Sequence, residues 1–268
     1  MKKSSDIRVD TVLKAILGEV EPEKRNTLVQ HLPEREREIL EKLPLASGPI
    51  DFDASIHYSV LGKVHWSWFL PTLKSYSENE QKLFLSSLNQ YAAKHLARAL
   101  TLSLSGAGLT GIARTYFRNM LLDSLLGQGH RLLPPQLLPA THLTRLLELN
   151  KKELTQLIDL LSLYDLATEL RQIVETKTLK KIYALLSLEE KELLKRAVNQ
   201  KKDPLNLGKL GLERWDGSEE SLRMLLHRKA LQRFGAGLSG ENLDFIWYVC
   251  HQLDIGRGTA LHLSLIHI

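Results

Sequence analysis

"LTLSLSGAGLTGIARTYF", Leu100 to Phe117, carries Gly106, Gly108 and Gly111 at the spacing of a dinucleotide-binding turn. Such a turn works where a strand delivers the chain to the glycines and a helix N-terminus receives the pyrophosphate. The neighbours of these glycines therefore decide between an α/β fold and an all-helical one. Upstream, Phe84, Leu88, Ala92, Leu96, Leu100 and Leu104 step by four, which is a helix stripe and not strand alternation. The stripe opens at Ser77-Glu-Asn-Glu80, a capping-box spacing, and reaches a C-terminal glycine at Ser105-Gly106. Downstream, the acidic ribose partner should close a second strand about 20 residues on. Instead Asp123 lies within one helical run, Ile112 to Leu126. The segment reads as helix-turn-helix, with Gly106, Gly108 and Gly111 serving the turn and close helix packing.

The same grammar runs through the chain. Leu dominates the apolar positions, and no Val/Ile/Thr-rich alternating run is bounded by turns. The fold class is all-α: several short-helix modules, with a stacked, right-handed, helical-repeat-like C-terminal part. Residues 1–45 form a small N-terminal module of short amphipathic helices, with Val12, Leu13, Ile16 and Leu17 on one face and Leu28, Ile39 and Leu40 as core. Pro22 and Pro33, each followed by Glu, stand where a first-turn proline is tolerated. After the turn-rich stretch Pro44 to Ser55, residues 56–129 form a central module anchored by "HWSWFLP", His65 to Pro71. "HRLLPPQLLP" breaks the chain again, and residues 140–262 form the third module. Its expected helices are Thr141 to Leu149, Lys151 to Leu163, Tyr164 to Val174, Thr178 to Leu186, Leu188 to Asn199, Glu219 to Phe234 and Glu241 to Leu253. Asn150-Lys-Lys-Glu153 and Ser187-Leu-Glu-Glu190 cap two of them. The last six residues, 263–268, "LSLIHI", read as the translation of a sequencing adapter, so the native chain is expected to end before Leu263.

At 268 residues and 43% hydrophobic content the chain can bury a sizeable core, which excludes disorder as its main state. No signal-type h-region follows "MKKSSDIRVD" and no apolar run reaches a membrane span, so a cytoplasmic location is expected. A single cysteine, Cys250, forms no internal disulfide and suits a reducing compartment. The net charge of +5 is a mild excess that permits anionic partners without demanding one.

"VEPEKRNTLVQHLPEREREILEKL", Val20 to Leu43, adds something more specific. Pro22-Glu23-Lys24 is followed eleven residues later by Pro33-Glu34, with Ile39, Leu40 and Leu43 in apolar positions. This resembles the middle-domain pattern of the flagellar motor switch family FliG. A second stretch, Asp165 to Leu194, is similar to a C-terminal FliG repeat, with Asp165-Leu-Ala, Lys181-Ile and Ser187, allowing a one-residue insertion that leaves Glu192 five after Ser187. The family's Glu-His-Pro-Gln partner-binding segment would fall on Arg8-Val-Asp-Thr11 and is missing. Its charged torque helix has only a loose counterpart in Glu219, Glu220, Arg223, Arg228 and Lys229, charges that a solvated helix face also explains. The resemblance thus points to a non-rotary relative, the type III secretion sorting-platform adaptor of the SctK kind. It implies a non-enzymatic scaffold, with protein components of a secretion or flagellar base as partners and peripheral inner-membrane association through them.

Other constellations are weaker. Ten histidines include no His-Glu-x-x-His, and His57, His65, His95, His130 and His142 show no ligand spacing, so no metal is expected. His251 and Asp254 beside Cys250 have the residue types of a catalytic pair, but neighbours on one helix rarely aim both groups productively. No catalytic residue and no cofactor are assigned. Lys177, Lys180 and Lys181 with Lys201 and Lys202 form a basic edge, yet Tyr183 is the only nearby aromatic and Glu175, Glu189 and Glu190 dilute the field, which disfavours nucleic acid. The expected docking residues for a protein partner are Lys177, Lys180, Lys181, Glu189, Glu190, Lys195 and Arg196, an electrostatic rim over apolar ridges. A helical nucleic-acid-binding protein and an unrecognised enzyme remain the alternatives.

Overall fold

The computed structural model describes residues 10, 13–14, 16–18, 20–43, 60–103, 108–127, 132–173, 175–199 and 207–266. Every regular element among them is helical, so the fold is all-α. The chain divides into two compact units, Met1–Glu148 with Glu241–Ile255 and Leu149–Gly240 with Gly256–Ile268.

In the first unit, α1 (Pro22–Gln30) and α2 (Glu34–Lys42) follow their prolines closely: Pro22 occupies the first turn of α1, and Pro33 is the N-cap of α2. Leu40 is buried, but Leu28 is 50% exposed and Ile39 only partly covered, which corrects the expected core. The sequence of α1, PEKRNTLVQ, holds too few apolar residues to make a stripe, and the helix buries none of its residues. Ile16 is likewise exposed while Leu17 is buried; Val12 lies outside the described residues.

Trp66–Phe69 forms a short 3₁₀ turn leading into α3 (Leu70–Leu73), and Phe69 and Leu73 are fully buried. The stripe that begins at Phe84 is two helices, α4 (Glu78–Ser87) and α5 (Gln90–Leu100). At the start of α4 the Ser77 N–H donates to the Glu80 carboxylate at 2.8 Å, as the capping-box spacing predicts. The break comes from Asn89, whose side-chain oxygen accepts the Ala92 N–H at 2.8 Å and so starts a new helix inside an uninterrupted apolar period. α5 closes on Thr101 in the left-handed region, φ 56°, and not on a glycine. Gly106 lies outside the described residues. Gly111 opens α6 (Gly111–Leu126), capped by the Thr110 hydroxyl. A Cβ on Gly108 or Gly111 would meet nothing within 4 Å, so these two glycines do not serve close helix packing. Phe84 of α4 meets Phe117 of α6 edge to face, and the Arg118 Nε donates to the Ser87 carbonyl, which joins α6 to the end of α4.

The second unit is built on two 20-residue helices, α7 (Lys151–Leu170) and α10 (Glu219–Leu238), which pack on each other. α8 (Thr176–Leu185) and α9 (Leu188–Asn199) lie between them in sequence, and α9 packs on α7. The expected pair Lys151 to Leu163 and Tyr164 to Val174 is thus one helix. Nothing at Leu163-Tyr164 offers a cap or a breaker, so the backbone hydrogen bonds continue. Leu166, Ile182, Leu194 and Leu222, one from each helix, are fully buried in a shared core. Asn150 and Ser187 both cap as their spacing predicts, with Glu153 and Glu190 returning to their backbone N–H groups.

α11 (Leu243–Gln252) belongs to the first unit, where Asp244 accepts the Leu133 N–H at 3.0 Å and the Tyr248 hydroxyl donates to the Leu133 carbonyl at 2.9 Å. α12 (Ile255–Ile266) runs through 263–266, the start of the adapter-like segment. A Cβ on Gly235 of α10 would fall 2.3 Å from the Ser264 hydroxyl, so the close helix approach expected near Gly108 occurs here instead.

Candidate functional site

The second unit offers a cleft of about 570 Å³ where the end of α7, the first half of α8 and the loop after Leu207 converge. Its loop wall is held by Glu169 of α7. This carboxylate accepts the backbone N–H groups of Leu210, Gly211 and Leu212 at 2.8, 3.2 and 3.1 Å, satisfying three donors that no regular element would pair. Gly211, φ 94°, supplies the left-handed backbone that the turn needs. Behind it, Trp215 donates its indole N–H to the Ser218 carbonyl, which fixes the ring, and Lys181 places its ammonium 5.6 Å from the ring centroid. Gly217, φ 86°, leaves room for that ammonium: a Cβ there would lie 2.2 Å from the Lys181 Nζ.

Lys177 and Lys181, one turn apart on α8, both line the cleft, with Lys209 on the loop side. Lys177, Lys180, Lys181, Glu189, Lys195 and Arg196 are exposed. Glu190 is different. Its carboxylate pairs with Arg223 of α10 and caps α9 through the Ser187 N–H, so it is committed to internal contacts. Partial burial works against its ionised form, but the Arg223 and Ser187 hydrogen bonds prevail and hold its pKa below the ordinary glutamate value.

Sequence reasoning missed the charges that the core consumes. Asp165 and Arg233, both buried, form a two-bonded pair at 2.8 and 2.9 Å, and the guanidinium also lies over the Tyr164 ring. Lys229, expected on a solvated face with Glu219, Glu220, Arg223 and Arg228, is buried and donates to the carbonyls of Leu207 and Lys209. Its burial lowers its pKa. A lone long-range partner leaves no periodic mark, so none of the three could be distinguished from a surface charge in sequence.

In the first unit His251 is a packed side chain. Its ring stacks on Trp247 at 3.8 Å and meets Trp68 at 4.1 Å, while Nδ1 donates to the Trp247 carbonyl at 2.8 Å. Cys250 is buried and its thiol is pushed up to about 12, so it holds its proton at neutral pH. Among the described residues no group of three or more His, Cys, Asp or Glu side chains has a metal-holding arrangement, and no helix is long and apolar enough to cross a membrane.

No family model matches the chain, and no curated protein or solved structure matches it.

Proposed function

We propose that the chain is a non-enzymatic adaptor that docks a protein partner through the second unit, over α8 and the cleft beside it. The observation that carries this reading is the contrast within that unit: Glu190, Arg223, Asp165 and Arg233 are paired internally, whereas Lys177 and Lys181 line a cleft with an aromatic wall and Lys180, Lys195 and Arg196 are exposed on α8 and α9. Exposed cations steer a partner with an acidic face, and the apolar parts of the cleft, Ile173, Leu212 and Trp215, then hold it. The cellular setting, the base of a type III secretion or flagellar apparatus with peripheral inner-membrane association through partners, rests on the FliG-like stretches 20–43 and 165–194 alone.

The test is association of the full chain with purified cytoplasmic components of a secretion base. Lys180→Glu with Lys181→Glu should slow association and flatten its salt dependence while leaving helicity unchanged. Association that is equally fast in the double variant would refute docking at α8, and no association with any base component would refute the setting.

A further inference from the structure

The first unit contains a second cationic surface of a different kind. Between Glu80 and Asp123 the sequence has no Asp or Glu at all, but it has Lys82, Lys94, Arg98, Arg114 and Arg118. Lys82 pairs with Glu78, and Arg118 spends its Nε on the Ser87 carbonyl. Lys94, Arg98 and Arg114 form no ion pair with any described residue. On α5, residues 91, 94, 95 and 98 share one face, because positions three and four apart are neighbours on a helix. That face presents Tyr91, Lys94, His95 and Arg98, while Ala92, Ala93, Leu96 and Ala97 are buried behind it.

The aromatic part of the face is ordered. His95 stacks on Trp66 with an interplanar angle of 8° and a centroid distance of 5.3 Å, and Tyr91 packs on His95 at 4.5 Å with its ring tilted. Tyr91 is 60% exposed. A row of π faces flanked by cations that lack carboxylate partners is the arrangement that bases and phosphates can use together. From this we infer that the outer face of α5, with Trp66, binds single-stranded nucleic acid: Tyr91, backed by His95 and Trp66, stacks a base, and Lys94 and Arg98 contact phosphates. A duplex keeps its bases stacked on each other and offers these rings nothing. A lipid surface would need aliphatic area on the outer side of the helix, and the aliphatic side of α5 is the buried one. The edge of α8 differs, since Glu175 and Glu189 stand among its cations.

The experiment is fluorescence anisotropy of a labelled oligouridylate with the full chain across a salt series. Binding should weaken linearly in log–log form with salt, and Lys94→Glu with Arg98→Glu should flatten that slope by about 1.4, the loss of two single-strand phosphate contacts. Tyr91→Ala should weaken binding about tenfold, as removal of a stacking ring does, whereas Tyr91→Phe keeps the ring and should bind as the parent does. Lys180→Glu with Lys181→Glu should leave oligouridylate binding unchanged, which separates this surface from the docking face of α8. Circular dichroism checks that each variant keeps its helices. The inference is overturned if the oligouridylate does not bind at low salt, or if the α5 variants bind it equally well. It is also overturned if polyglutamate competes as effectively as unlabelled oligouridylate, or if phosphatidylserine vesicles are bound through the same residues in preference to it.

Discussion

Between Asp159 and Arg233 most charges near the core are consumed by the fold, whereas on α5, in a stretch from 81 to 122 that contains no Asp or Glu, Lys94 and Arg98 form no ion pair with any described residue. Asp165 closes on Arg233, Glu190 on Arg223, and Lys229 on two carbonyls, with the second partner of each drawn from another part of the second unit. On α5, by contrast, Lys94 and Arg98 could be removed without leaving a buried group unpaired. One region spends charge on its own architecture and the other keeps it available. A protein that must hold its shape while meeting a charged partner needs both.

The comparison breaks most readily at Asp165. Asp165→Ala strands a buried guanidinium and should destabilise the chain by about 3 to 5 kcal/mol in urea denaturation. Replacing both partners with apolar residues, Asp165→Leu with Arg233→Met, should recover most of that loss, because the cost lies in the uncompensated charge. A single-variant cost under ~0.5 kcal/mol, the size of a surface change, would show that this charge is not structural. Lys229→Met keeps the volume but leaves the Leu207 and Lys209 carbonyls without their donor, and should cost about 1 to 3 kcal/mol in the same assay.

Glu190 tests the comparison through pH. Its folded pKa is held below the usual value of 4.5, so near that value the unfolded chain binds more protons than the folded one and stability rises with pH. The contribution is present above the unfolded pKa and is lost as pH falls through the folded one. Urea midpoints measured downward from neutral pH should therefore drop on the acid side, and Glu190→Gln should shrink this drop. An identical acid limb in parent and variant would mean that the Arg223 pair contributes nothing. The smallest effect is expected at Lys94→Glu with Arg98→Glu and, in the N-terminal module, at Leu28→Ala: each should stay within about 0.5 kcal/mol of the parent. A larger cost at Lys94 and Arg98 would assign those cations to the fold and erase the distinction.

The helix ends show how much was legible in sequence. Ser77 with Glu80, Asn150 with Glu153 and Ser187 with Glu190 all cap as their spacing predicts, because both members of each box lie within one turn. Asn89 used the same chemistry and was hidden only by an apolar period that continued across it. The Leu163-Tyr164 junction was misread in the opposite sense, a long helix divided where no cap existed. In the candidate docking face the exposed lysines were legible as charges on a helix. The Trp215 wall, the Glu169 clasp and the commitment of Glu190 were not, since each depends on a loop or helix distant in the chain.

The sequence by itself determined that the chain is helical, that α4, α7 and α9 start where their capping boxes lie, and that Gly108 lies between α5 and α6 with Gly111 opening α6. These properties rest on hydrogen bonds and apolar spacings closed within a few residues. Tertiary structure alone decided which ionised groups the fold consumes and which it leaves at the surface. Asp165 and Arg233 are 68 residues apart, and only packing α10 against α7 brings them out of water together. The same packing buries Lys229 beside exposed Arg228, two neighbours with the same charge. No local pattern separates such neighbours, because the cost of burying an ion is offset by a partner that the chain supplies from elsewhere.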